Sequence, residues 1–198
     1  MFTFYLEKFT PAEAASVSGT SCGLQRSYRQ KGYLSEQHGH APFSIFGLAE
    51  LAFVKAMTET SCPPDFLKRL RNWAVSGIVY QALRDEDAFA SPDIGLDVDL
   101  VLCAPNVLAR YSALEVDCRR VIPERFLIIW ADKSCKWVAS LNEMTAVTPV
   151  KAAGPVIVLD QKAVGDALRQ RARRPLVRVS RVAAVPNTAN DFAKETVG

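Results

Sequence analysis

Residues 9–34, FTPAEAASVSGTSCGLQRSYRQKGYL, constrain the fold more than any other stretch of the chain. Two complete sets of helix-boundary signals lie within it. Thr10 and Pro11 open a helix, with a hydroxyl at the N-cap and a proline where its missing N–H costs nothing. Glu13, three residues after Thr10, completes a capping box. Ala14, Ala15 and Val17 give this helix a small apolar face. Gly19 closes it, because glycine tolerates the left-handed conformation after a helix C-terminus. Ser21 caps a second helix two residues later. Leu24 and Tyr28, at i and i+4, are expected on its core face, which leaves Gln25, Arg26, Arg29 and Gln30 pointing outward. Gly32 then stops the helix, and Tyr33 and Leu34 return to the apolar interior.

Two short helices, a tight glycine turn and an outward face of Arg and Gln suit the major groove of DNA. The groove admits one helix; Arg pairs with guanine and Gln with adenine. Ser21, Gln25, Arg26, Tyr28, Arg29, Gln30 and Lys31 are the candidate contacts. An ordinary helical hairpin with a solvated charged face fits the same pattern.

The downstream order narrows the choice. A polar stretch, SEQHGHAP, follows Leu34 and leads into FSIFGLAELAFVKAM. With Thr10, Ala14, Gly19, Ser21, Arg26, Tyr28, Gly32, Leu34, Phe46, Leu48 and Leu51 in register, residues 9–72 resemble the DNA-binding domain of the MerR family. The resemblance implies a winged helix-turn-helix in which Arg26 and Tyr28 mainly touch phosphates. It also implies a wing at 35–45 turning near Gly39. His38 and His40 are the candidate wing contacts, in the region where the family usually carries an Arg.

The chain has 198 residues, net charge +3 and 49% hydrophobic residues, enough for one large or two small globular domains. So small a net charge does not demand nucleic acid but permits local basic patches. No segment approaches the roughly 20 apolar residues of a membrane span. The N-terminal residues carry Glu7 and no basic-then-apolar pattern, so a cytoplasmic protein without membrane contact is expected. Five cysteines at 22, 62, 103, 118 and 135 show no metal-ligand spacing and read as reduced thiols; no metal or cofactor is expected. A sensing role for Cys118 and Cys135 is an alternative that the MerR resemblance implies.

Helical spacing predicts a third helix over 46–58, with Leu48, Leu51, Ala52 and Lys55 on one side. A fourth runs from Pro64 to about residue 84, with Phe66, Leu70, Trp73, Ala74, Gly77 and Ile78 inward. Asp85, Glu86, Asp87, Asp93, Asp97 and Asp99 form an acidic stretch read as a linker. Asp97 and Asp99, at i and i+2, read as a solvated strand edge, with a cation site or an acid/base pair as the alternatives. Beyond it, DVDLVLC, RFLIIWA, KWVASL and GPVIVL read as strands, the middle two as a hairpin across Asp132-Lys133-Ser134. Residues 155–182 read as a β-α-β unit with Asp160 capping the helix; the two strands are parallel if they share a sheet. Its arginines, 169, 171, 173, 174, 178 and 181, offer phosphate contacts, with Arg169 and Arg173 sharing a helical face. A solvated face, or a surface for the acidic stretch, is the plainer reading.

The expected fold class is therefore α+β. A winged helix-turn-helix domain (1–84), an acidic linker (85–97), a smaller α/β-type domain with a hairpin and a β-α-β unit (98–185) and a tail (186–198) follow one another. The expected function is sequence-specific double-stranded DNA binding by a transcription regulator of bacterial or prophage type. A homodimer is expected, with RNA polymerase or another regulator as a further partner. The alternatives are an excisionase-like or small-terminase-like DNA-architecture protein and a protein-interaction module. No catalytic constellation is present: there is no Walker loop, dinucleotide fingerprint or serine-hydrolase elbow, so an enzyme is not expected.

Overall fold

The computed structural model describes residues 2–35, 42–60, 62–90, 123–132, 134–146 and 154–181. Among them are five α-helices and two three-stranded sheets, an α+β fold. The order begins β1 (Phe2–Leu6), α1 (Pro11–Ser18), α2 (Cys22–Gln30), α3 (Ile45–Glu59) and α4 (Pro64–Ala82). It continues with β2 (Phe89–Ala90), β3 (Phe126–Ile129), β4 (Cys135–Val138), β5 (Ile157–Asp160), α5 (Gln161–Ala172) and β6 (Val177–Arg181).

The helix boundaries follow local chemistry. The Thr10 hydroxyl accepts from the Glu13 N–H while the Glu13 carboxylate accepts from the Thr10 N–H, so two orphan donors of α1 are satisfied reciprocally. Gly19 ends α1 at φ 69°, a left-handed position where a side chain would be strained. Ser21 Oγ then accepts from the Leu24 N–H and starts α2. Asp160 does the same for α5 through the Ala163 N–H.

α4 is the centre of the molecule. It packs against α3 on one side and α5 on the other, and every residue from Ala74 to Ala82 is buried. The α5 backbone comes close because Gly165 faces it: a Cβ there would stand 2.8 Å from the Ala82 nitrogen. Gln161, fully buried at the start of α5, lies over Gly77 and donates its amide to the Ala74 carbonyl. Trp73, expected in the core, is instead 39% exposed, its indole stacked at 4.6 Å on that of Trp137. The half-exposed ring thus lies against Trp137 of β4 rather than within the core.

The two sheets divide the strands differently from a β-α-β unit. β6 pairs with β1 antiparallel and with β2 parallel, whereas β3 lies between β4 and β5, antiparallel to both. β5 and β6, the strands on either side of α5, thus belong to different sheets, so the condition for a parallel pair is not met. The reason is β1: its five residues offer β6 a full antiparallel register, Phe2 opposite Arg181 through Leu6 opposite Val177. The expected hairpin of β3 and β4 is present, pairing Leu127 with Trp137. All four residues of β3 are buried because both faces are covered: Leu127 and Ile129 join the main core, Phe126 and Ile128 a second cluster with Trp130 and Val138.

The main core runs from Phe4 to Val179 and takes residues from both sides of the acidic stretch. Within the expected linker, residues 85–90 form a short 3-10 turn (Glu86–Ala88) and β2, and residues 91–97 lie outside the described residues. No helix among the described residues is long and apolar enough to cross a membrane.

Candidate functional site

α2 is held on its inner side by two polar side chains. Gln25, expected to point outward, is 1% exposed and donates its amide to the carbonyls of Pro11 at 3.0 Å and Thr20 at 2.9 Å. Leu24, expected inward, is 42% exposed. The pair is exchanged because the residues facing α1 must satisfy carbonyls at the start of α1 and in the turn; an amide does this and a leucine cannot. Tyr28 is buried as expected, and its hydroxyl meets Thr58 Oγ1 of α3 at 2.9 Å. Neither Gln25 nor Tyr28 therefore presents its polar group on the outer face.

That face consists of Ser21, Leu24, Arg26, Gln30 and Lys31, all exposed. Arg26 and Gln30 are one turn apart and project on the same side. Arg29 is half-buried, its guanidinium 5.0 Å above the Phe43 ring. Lys68 of α4 reaches Gly32, where α2 ends, and adds a further cation at this end of the helix. Phe43 forms an isolated antiparallel bridge with Phe9, which ties the chain entering α3 to the chain entering α1.

Glu50 is a positioning residue that sequence reading missed. It is 7% exposed, accepts from both the N–H and the hydroxyl of Ser35 at 2.7 Å, and pairs with Arg71 at 3.4 Å. It therefore fixes the chain at Ser35, beyond the end of α2. The signal was a lone acid inside the apolar run IFGLAELAFV. Gly39, His38 and His40 lie outside the described residues, as do Asp97, Asp99, Cys103 and Cys118.

The C-terminal arginines do not act as one patch. Arg169 is committed to Asp85, Asp87 and Asp166, which matches the reading of a partner for the acidic stretch. Arg173 is exposed in a left-handed conformation that ends α5, so it no longer shares a helical face with Arg169. Arg174 stacks 4.4 Å over Phe9 and pairs with Glu13, and Arg178 pairs with Glu7. The Thr10 hydrogen bonds, with help from Arg174, hold the Glu13 carboxyl below its usual range.

Among the described residues no group of three His, Cys, Asp or Glu side chains is placed to hold a metal ion. Cys22 is exposed at the start of α2, while burial pushes the thiols of Cys62 and Cys135 up. No protein-family model and no curated protein matches this chain.

Proposed function

We propose that the chain binds double-stranded DNA sequence-specifically, as a transcription regulator of bacterial or prophage type, with α1 and α2 acting as a helix-turn-helix. The observation that carries this reading is the division of α2. Its inner face is locked by Gln25 and Tyr28, and its outer face combines Arg26, Gln30 and Lys31 with an exposed Leu24. A helix held rigidly from behind and carrying bidentate donors in front is what base reading requires. In this reading Arg26 and Gln30 meet base edges, Leu24 offers an apolar contact to a thymine methyl, and Lys31 and Lys68 meet phosphates. Glu50 fixes Ser35, the first residue of the stretch read as the wing. One such module buries little surface, so two copies on a two-half-site operator supply the affinity.

Selection of bound sequences from random duplexes, followed by anisotropy titration, tests the proposal. An enriched motif, with Arg26→Ala weakening it about 10-fold to 100-fold, is the expected outcome for a lost base contact. Recovery of no motif, together with equal affinity of wild type and Arg26→Ala for all duplexes, rejects it. The exposed Leu24 favours a second reading, a protein-interaction surface; Leu24→Ser would then abolish capture of a protein partner while leaving DNA affinity untouched.

A further inference from the structure

α3 and α5 diverge next to the C-terminus of α1 and leave a groove of about 290 Å3 between them. Ala52 and Ala56 of α3 and Ala163 and Ala167 of α5 line its walls. Its charged groups are unevenly placed. Lys55 Nζ and Arg171 Nη1 converge on Gly19, both within 3.6 Å of the point where a Cβ on that residue would stand. Among the described residues Arg171 has no carboxylate partner, and Lys55 has only Glu59, at the 4.0 Å limit of an ion pair and itself 66% exposed. Two cations from different helices thus meet at one end of the groove, where Glu59, which also lines it, is the one carboxylate among the described residues. The arrangement has an electrostatic cost that a bound anion removes. Gly19 also ends α1, whose C-terminal dipole favours cations there.

We propose that this groove binds a small organic anion, with a carboxylate, sulfonate or phosphate head between Lys55 and Arg171 and an apolar body between α3 and α5. The charge selects the head, and the alanine walls select a flat or narrow body. The cavity is at the lower end of ligand-pocket sizes, which excludes large cofactors. The site is independent of how α2 is used. Its position has a consequence all the same: the ligand touches α3, which holds Tyr28 through Thr58, and α5, which packs on α1.

The test uses the full-length protein with 1-naphthoate and octanoate as probes, and with 1-naphthalenemethanol as the uncharged control. Saturable one-to-one binding of at least one acid is expected, with amide shifts at Ala56 and Ala167 in NMR spectra. The alcohol should bind at least 10-fold more weakly. Lys55→Gln and Arg171→Gln should each weaken the acid about 10-fold, and Ala167→Leu should abolish binding with the thermal transition retained. Absence of binding of both acids at millimolar concentration overturns the proposal, as does equal binding by wild type and the two charge variants. DNA distinguishes the other use of the cations. If the charge variants leave probe binding intact but flatten the salt dependence of DNA affinity, the pair contacts backbone phosphate and the groove proposal fails.

Discussion

Gln25 shows how one amide decides the orientation of a helix. Its two hydrogen bonds join the first turn of α1, the intervening turn and α2. Gln25→Ala leaves the carbonyls of Pro11 and Thr20 without this donor, and a loss of about 1–3 kcal/mol is expected in urea unfolding. A stability equal to wild type would mean that water replaces the amide at no cost. Asp160 offers a second test at this scale. Partial burial raises its carboxyl pKa, but Arg125 and the N–H groups of Ala163 and Lys162 outweigh that and leave it lowered from 3.8. A lowered folded pKa stabilises above the unfolded value, and the gain is lost as pH falls through the folded one. Asp160→Ala should therefore cost about 1 kcal/mol at neutral pH through the lost cap. The gap from wild type should begin to close only below pH 3.8. A gap that is constant down to pH 2 contradicts this account.

At the scale of elements, α2 predicts different behaviour for two neighbouring arginines. Arg26 is exposed, whereas Arg29 is half-buried and covers Phe43. Arg26→Ala should leave the unfolding midpoint within experimental error and, if α2 reads DNA, weaken binding. Arg29→Ala should lower stability by about 0.5–1 kcal/mol through the lost cation–π contact, in addition to any effect on DNA. Equal stability of the two variants would remove the proposed distinction. The α4–α5 crossing gives a sharper case. Gly165→Ala drives a methyl group to 2.8 Å from the Ala82 backbone nitrogen, where no side chain can rotate away. Overpacking of about 1–3 kcal/mol is expected, despite the better helix propensity of alanine. A stabilised Gly165→Ala protein would show that the two helices separate easily.

The whole molecule is held together across its length. β1 at the N-terminus is bonded to β6, α5 packs on α4 and α1, and Arg169 fastens the acidic turn at 85–87. Truncation after residue 90 removes β6 and α5 and exposes the buried faces of Phe4, Ala74 and Ile78. The truncated chain should lose the cooperative unfolding transition shown by the full one, as read by circular dichroism. A sharp transition at the wild-type midpoint would establish that residues 1–90 fold alone. For the intact chain, the DNA-binding reading predicts a homodimer on a two-half-site operator. A monomeric mass by light scattering, together with a footprint of one half-site, contradicts it.

The sequence by itself determined what local chemistry controls. Thr10, Glu13, Gly19, Ser21 and Asp160 mark the ends of α1, α2 and α5, because caps and left-handed turns depend on residues within four positions. The apolar periodicities of α3 and α4, and the β3–β4 hairpin, were legible for the same reason. Of the four α2 residues expected outward, Arg26 and Gln30 are exposed, Arg29 is half-buried and Gln25 is buried. Tertiary structure decided the rest. Nine residues of α2 are too few for periodicity to choose between Leu24 and Gln25, so the carbonyls of α1 and the turn chose. β6 found β1 rather than β5 because strand partners are selected by edges far apart in sequence. Glu50 and Ser35, and Lys55 and Arg171, were brought together in the same way: no spacing rule relates residues that meet only when three helices pack.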